Sequence, residues 1–520
     1  MNTRTWMRRW LPAGMAAAMA LSLAQGATYY VTPDGNDGNG GSDPATDALA
    51  SLEKAVELTG DGDTIRMGGG TYTLQNYAGV TITNAITVTR IDANETVTLK
   101  PRAAAGGYTG TRRLLIVNDA GAVIDGLILS EAYANDEPNY NLVDTAGYAL
   151  LLKAGTVTNC IVTDSTTIKG NHAVKMTGGL ITQSEIRNTR VTAGSAWNHA
   201  VALHAVGGVI TGGVVSNNQA RGRGTVYLDG SGVQLLDSRI AGNRLLRYEV
   251  AGGTLCGAAG VTLANGALVS DCTIVDNTAE TASQNVTYVA GGVYLYNGAS
   301  ILRNSIVADN TTASGNAGGV HLYSATVRVE NCLIVRNRSL GGASGGVYMQ
   351  AGSANLLNST LYGNVAESKT TGHGLAMTAG TARNLILYAN GIGASALTGG
   401  NLLRTSGTIS YSCVTLASDA NGSGNVPGNP RFADATGGDF RLRFGSPCRD
   451  TGETIASITA DLLGVSRPRG TGYDMGCYEA VPSTEPECAI FIASGAQGAV
   501  PLTTDFSTLA APDTGIADYT

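Results

Sequence analysis

The stretch "GGVYLYNGASILRNSIVADN" (residues 291–310) is followed 27 residues on by "GGVHLYSATVRVENCLIVRN" (318–337) and after a further 27 by "GGVYMQAGSANLLNSTLYGN" (345–364). Each copy closes on a seven-residue line: Asn or Asp, Ser or Cys, any residue, an aliphatic, two more, then Asn. The line recurs as "DSRIAGN" from Asp237, "DCTIVDN" from Asp271, "NSIVADN" from Asn304, "NCLIVRN" from Asn331, "NSTLYGN" from Asn358 and, more loosely, "NLILYAN" from Asn384. Degenerate copies start at Asp125, Asn159, Gln183 and Gly212, which makes ten lines, the last three steps being 27, 27 and 26 residues. Within a copy the apolar residues alternate, as Val293 and Leu295 do around Tyr294, and the pattern is never helical.

Short strands repeating every twenty-odd residues cannot bury their inner faces one turn at a time, and stacking completes the core. Because a loop between strands can lengthen without disturbing the coil, the uneven spacing fits a parallel β-helix. A propeller blade needs about 40 residues, and a leucine-rich repeat needs a helical segment. The expected fold is therefore all-β, a right-handed parallel β-helix of the pectate-lyase-like kind with an N-terminal capping helix. The Asn that ends each line (Asn218, Asn243, Asn277, Asn310, Asn337, Asn364, Asn390) is expected to turn a corner in the left-handed region and to hydrogen-bond to its neighbours as a ladder. For the cap, Leu49, Leu52 and Val56 share one face of a helix over 47–58 with Thr46 and Asp47 before it.

Composition narrows the function classes. The 520 residues carry a net charge of -7, and only six of the 33 basic residues are lysines, scattered singly, which argues against a nucleic-acid partner. Residues 1–26 place Arg4, Arg8 and Arg9 before an apolar run from Leu11 to Ala24 and then small residues, the layout of a signal peptide. Nothing later in the sequence reads as a transmembrane span. The expected protein is exported, extracellular or on the outer cell surface, and monomeric.

Several segments resemble known families. "TYYVTPDGNDGNGGS" (28–42) and "GDTIRMGGGTYTL" (62–74) resemble the opening of secreted right-handed β-helix proteins, and the Gly-Gly-Val lines resemble repeats of chlamydial polymorphic outer-membrane proteins. "NPRFADATGGDFRLRFGSPCRDTG" (429–452) and "DLLGVSRPRGTGYDMGCYEA" (461–480) resemble the closing module of bacterial choice-of-anchor β-helix proteins. The resemblance implies export and surface display, and the family carries no agreed activity. The tail from Cys488 resembles the opening of a PKD-type β-sandwich. The expected division is a signal peptide at 1–26, an N-terminal strand and helix at 27–75, the β-helix at 76–410, a closing module at 411–480, a linker at 481–487 and an incomplete PKD-like start at 488–520.

Pectinase-type carboxylate lines are absent, and "GHG" at 372–374 occupies the slot of "GG" at 318 and 345. By register, a lyase-like cluster of Lys175, His204 and Asp229 falls on outward positions of three successive coils, where a base could remove the proton beside a uronate carboxylate. His172 and His199 follow the same "NHAV" text, with His373 in the same column, and no third ligand in register accompanies them, so no metal is assigned. Asp276 and Asp309 stack beside the ladder, where Ca²⁺ is a possible guest. The stronger surface feature is aromatic: Tyr227, Tyr294, His321 and Tyr348 in one outward column, with Tyr296 and Tyr323 beside it, offer rings to a polysaccharide or cell-surface glycan. Their alternative is mutual stacking that stabilises the sheet. Cys160, Cys272 and Cys332 fill the repeat's Ser slot as small buried thiols, and Cys413–Cys448 is the expected disulfide of the closing module. These observations support a glycan-binding protein or adhesin without evident catalytic machinery. The alternatives are a polysaccharide lyase acting on acidic polysaccharide and a structural surface stalk.

Overall fold

A computed structural model describes residues 26–103, 112–134, 147–168, 172–193, 201–246, 256–280, 288–324, 326–350, 352–393, 400–415 and 421–480, and the strands 487–492, 506–511 and 517–519. The expected signal peptide, His199 and nearly all of the 481–487 linker lie outside the described residues.

The turn that begins at Val293 shows how sequence becomes coil. Strand Val293–Leu295 leads to Ile301–Arg303, then to Ile306–Ala308, before the chain rises one layer to Val320–Leu322. Each strand pairs in parallel with its copy one repeat on: Val293 with Val320 and Val347, Leu302 with Val329, Val307 with Ile334. Repetition builds three long parallel sheets of 14, 14 and 13 described strands, wound as a right-handed β-helix. The first sheet carries Ile301–Arg303, the second Ile306–Ala308 and the third Val293–Leu295. Strands of the same sheets extend beyond 76–410 on both sides, from Thr28–Val31 to Val426–Pro427. One continuous apolar core runs up the coil, with Val293, Leu295, Leu302 and Val307 all enclosed.

The repeated letters each meet a steric or hydrogen-bonding demand. The second glycine of each "GG" passes so close to the next turn that a Cβ on Gly292 would lie 2.7 Å from the Gly319 carbonyl oxygen and 3.1 Å from Asn310 Nδ2. The left-handed corners are not where the sequence placed them. They fall on the first residue of the line (Asn304, φ 47°; Asn331, φ 57°) and on the residue before the ladder Asn (Asp309, φ 56°; Arg336, φ 55°). The ladder asparagines are instead fully buried acceptors and donors. Asn310 Nδ2 donates to Asn337 Oδ1 at 3.0 Å and to the Ile274 carbonyl at 2.8 Å, while Asn310 Oδ1 accepts from the backbone N–H and Nδ2 of Asn277. The same linkage joins Asn218, Asn243, Asn277, Asn310, Asn337, Asn364 and Asn390, is closed at one end by Thr189 and continues into Asn401 at the other. A second column runs through the Ser/Cys slot, where Ser305 Oγ accepts from the Cys272 N–H at 3.1 Å and Ser359 Oγ from the Cys332 N–H at 3.1 Å. Burial pushes the Cys160 and Cys272 thiols up to about 12.

The N-terminal helix is shorter than expected, Leu52–Leu58, with Ser51 Oγ accepting from the Lys54 N–H as its cap. Asp47 is taken up by a turn, where its carboxylate accepts from the N–H groups of Gly40 and Ser42. Leu52 and Ala55 join the core.

The closing module does not simply cover the end of the coil. Its hairpin, Phe432–Asp434 with Asp439–Leu442, lies back along the outer face of the second sheet, where Phe440 and Cys477 pack with Val275, Ala308 and Val335. Arg467 fixes it: its guanidinium reaches Glu479 at 2.7 Å, the Asp474 and Gly476 carbonyls and, at 3.2 Å, Oδ1 of Asn331 on the coil. Cys413 and Cys448, the expected disulfide pair, lie together in one apolar cluster with no bond drawn between them; the hydrogen bond to Cys413, then burial, raises the Cys448 thiol well above its ordinary value. Strands Glu487–Ile492, Phe506–Ala511 and Ala517–Tyr519 form a separate antiparallel sheet.

Candidate functional site on the outer face of the third sheet

Register places one outward residue per turn in a file along the third sheet. Lys175 pairs with His204, His204 with Tyr227, Tyr227 with Thr262, Thr262 with Tyr294, Tyr294 with His321, and His321 with Tyr348. Two positions further along each strand lies a second file that includes Asp229, Tyr296, Tyr323 and Gln350. Strand spacing of about 4.8 Å spreads the first file over roughly 29 Å.

At the N-terminal end the file is basic and enclosed. Lys175 Nζ and His172 Nε2 each lie 2.9 Å from His204 Nδ1, and the His204 ring stacks on Tyr227 with centroids 4.9 Å apart. The Tyr227 hydroxyl donates to Asp229 Oδ2 at 3.0 Å, and Asn265 Nδ2 donates to the other carboxylate oxygen at 2.5 Å. Burial, then the Asp229 charge, raises the Tyr227 phenol. The structure thus brings Lys175 and His204 together as neighbours but sets Asp229 two residues out of their column, where it accepts from Tyr227. A lysine amine against two imidazoles is a group that can pass a proton. Lys175 is only 1% exposed, so this end of the file is enclosed.

The shared "NHAV" text misleads by two residues. Val174 pairs with Leu203, and His172 lies opposite Val201, so it is His204 that meets His172. A slip of two keeps every side chain on its face, and alternation alone does not detect it. His373 is buried seven strands from His172, its Nδ1 accepting from the Ala366 N–H at 3.0 Å, and burial lowers its imidazole pKa. The Asp309 carboxylate, one of the two considered for Ca²⁺, accepts from Arg336 through bonds of 2.8 and 2.7 Å. Among the described residues no three His, Cys, Asp or Glu side chains converge as a metal site requires.

Toward the C-terminal end the file is aromatic, and the aromatic column needs correction. Tyr294 and His321 point away from the coil core yet are 0% exposed, and Tyr227 is only 6% exposed. Strand Tyr288–Ala290 belongs to the same sheet, pairing with Cys256–Ala258, and Tyr288, Tyr296 and Tyr323 pack with Tyr294. Burial drives the His321 imidazole down to about 3, leaving it a neutral partner of Gln350 Oε1 at 3.1 Å. The partly exposed rings are Tyr288, Tyr296, Tyr323 and Tyr348. Tyr296 and Tyr323 lie nearly parallel, 13° apart with centroids at 5.9 Å, so their faces are turned largely to each other. Such pairs stabilise a sheet by about 0.5–1.5 kcal/mol beyond burial. What they offer a ligand is ring edges and hydroxyls.

Sequence reasoning missed Arg223. Its guanidinium sits 4.4 Å from the centre of the Tyr296 ring and 5.8 Å from that of Tyr227. The register shift at Gly224, whose φ of 115° and approach to the Ala258 carbonyl exclude a side chain, sets the local path of the strand next to Arg223. The "RGRG" run before Tyr227 was the available signal.

No family model matches the chain, and no curated protein does. Solved structures similar to it include pectate lyase Pel9A (14% identity, 88% of this chain and 98% of that one, TM-score 0.36). They also include XylC in complex with xylose (9%, 87% and 99%, 0.40) and a rhamnogalacturonan lyase (12%, 85% and 99%, 0.39). These are distant likenesses, and the chemistry of this face is read from its own residues. No described helix is long and apolar enough to cross a membrane.

Proposed function

We propose that the chain is an exported or cell-surface β-helix that binds polysaccharide along the outer face of the third sheet, as an adhesin or glycan-binding protein. The observation that carries this reading is the partly exposed set Tyr296, Tyr323 and Tyr348 with Gln350, on adjacent turns of one rigid sheet. Hydroxyl and amide groups repeated at the strand spacing suit a chain of hydroxylated rings. Changing Tyr296, Tyr323 and Tyr348 together to Ala is expected to weaken retention on a glycan array at least about tenfold while the protein stays folded. Tyr294→Ala, by contrast, is expected to lose about 3–5 kcal/mol of stability. Retention by the triple variant equal to that of the unaltered protein contradicts the reading.

One observation favours a second reading, a polysaccharide lyase acting on acidic polysaccharide: the contact of Lys175 with His204 and His172. Ultraviolet absorbance from unsaturated uronate, lost in Lys175→Ala, would establish it.

A further inference from the structure

The outer face of the third sheet continues past Gln350. Met349 pairs with Met377 and Met377 with Arg404, so the residues that follow or flank them, Gln350, Thr378 and Thr405, stand one above another. With Tyr296 and Tyr323 they make one file over five successive turns, in which Tyr296, Tyr323 and Gln350 are partly exposed and both threonines are exposed. In the neighbouring file Tyr348 is followed by the buried Ala376 and then by Leu403, which is 38% exposed. Over these turns neither file carries an Asp, Glu, Lys or Arg, and the enclosed His321 is neutral.

The polar groups of the file differ in what they offer. Thr378 Oγ1 shares its hydrogen between the Met349 and Gln350 carbonyls at 3.3 and 3.2 Å, and Thr405 Oγ1 donates to the Met377 carbonyl at 3.3 Å. With those hydrogens directed to the strand below, both oxygens face solvent as acceptors. Gln350 Oε1 is taken by His321 Nε2, which leaves the Gln350 amide nitrogen as a donor. A sugar hydroxyl both donates and accepts, and it suits this mixture. A carboxylate only accepts, so it opposes the threonine oxygens and loses its hydration with no cation on the file to replace it. The net charge of -7 adds to the repulsion of a polyanion.

We propose that this face takes a neutral polysaccharide, and that Thr378 and Thr405 extend its track to the last strand of the sheet by accepting from sugar hydroxyls. The inference rests on the glycan-binding reading. The test is calorimetric binding of cellohexaose, xylohexaose and mannohexaose, and of hexasaccharides of pectate and alginate, to the whole chain. Expected is one neutral form bound at least roughly tenfold more tightly than either acidic form, the size of one or two hydrogen bonds. Thr378→Val combined with Thr405→Val, which keeps the side-chain volume, is expected to weaken that neutral hexasaccharide roughly tenfold at an unchanged melting temperature. An acidic hexasaccharide bound as tightly as any neutral one, or a double valine variant that binds like the unaltered protein, overturns this inference; a glycan array that is positive and is lost on changing Tyr296, Tyr323 and Tyr348 then leaves glycan binding standing. No binding of any hexasaccharide, together with a blank array, overturns both.

Discussion

Arg467→Met is expected to destabilise the docked closing module by about 3–5 kcal/mol, the usual consequence of removing one partner from a buried ion pair. The side chains of Arg467 and Glu479 are 0% and 1% exposed. The guanidinium donates to Glu479, to the Asp474 and Gly476 carbonyls and to Asn331, so its loss leaves the two carbonyls and Asn331 Oδ1 unanswered and Glu479 without its cation. Burial already pushes the Glu479 carboxyl up to about 7 against the opposing pull of Arg467. Without the guanidinium, the carboxyl is expected to be protonated at neutral pH. Because Asn331 belongs to the coil and also donates to the Ala460 carbonyl at 2.7 Å, the loss falls on the contact between module and coil. Limited proteolysis should cut within 429–480 in the variant long before the coil opens. Replacing both partners, Arg467→Met with Glu479→Leu, should recover much of the loss, since no charge is then stranded. A single variant as resistant as the unaltered protein would show that this pair does not hold the module.

Asn310→Ala is expected to have an effect at least as large, a loss of about 3–6 kcal/mol from several buried groups left unpaired. The Asn277 amide and backbone N–H lose their acceptor, and Asn337 Oδ1 and the Ile274 carbonyl lose a donor. Alanine also leaves a gap in the wall of the coil. Asn310→Asp should fare no better, because a carboxylate cannot donate to the Ile274 carbonyl. The urea midpoint measures the effect, and a shift equivalent to less than about 1 kcal/mol would mean that the ladder is dispensable.

The repeat made the coil legible because its letters answer requirements of every turn. The paired glycines clear the next layer, Asn310 and its copies close the ladder, and Ser305 and its copies cap a neighbour's N–H. The same repetition misled at "NHAV", where His172 lies opposite Val201, since alternation preserves faces under such a slip. Inward and outward were readable for Val293 and Tyr294, but outward is not the same as exposed. Tyr288, Tyr296 and Tyr323 pack around Tyr294, and nothing in the repeat announces the extra strand Tyr288–Ala290 that brings Tyr288 there. Arg223 escaped notice because its place depends on a bulge at Gly224 and not on the period. The closing module was recognised as a segment, yet the fold-back that puts Cys477 against Val335 depends on long-range packing that no local pattern encodes.

The central claim is that a sugar polymer lies lengthwise along the outer face of the third sheet, across its partly exposed residues Tyr296, Tyr323, Tyr348 and Gln350. It is tested most directly by measuring affinity against oligosaccharide length for a glycan the protein retains. A sugar residue advances by roughly one strand spacing, so affinity should climb with each added unit to about six and then level off. A monosaccharide that binds as tightly as the hexasaccharide, or an affinity that does not change with length, would contradict it.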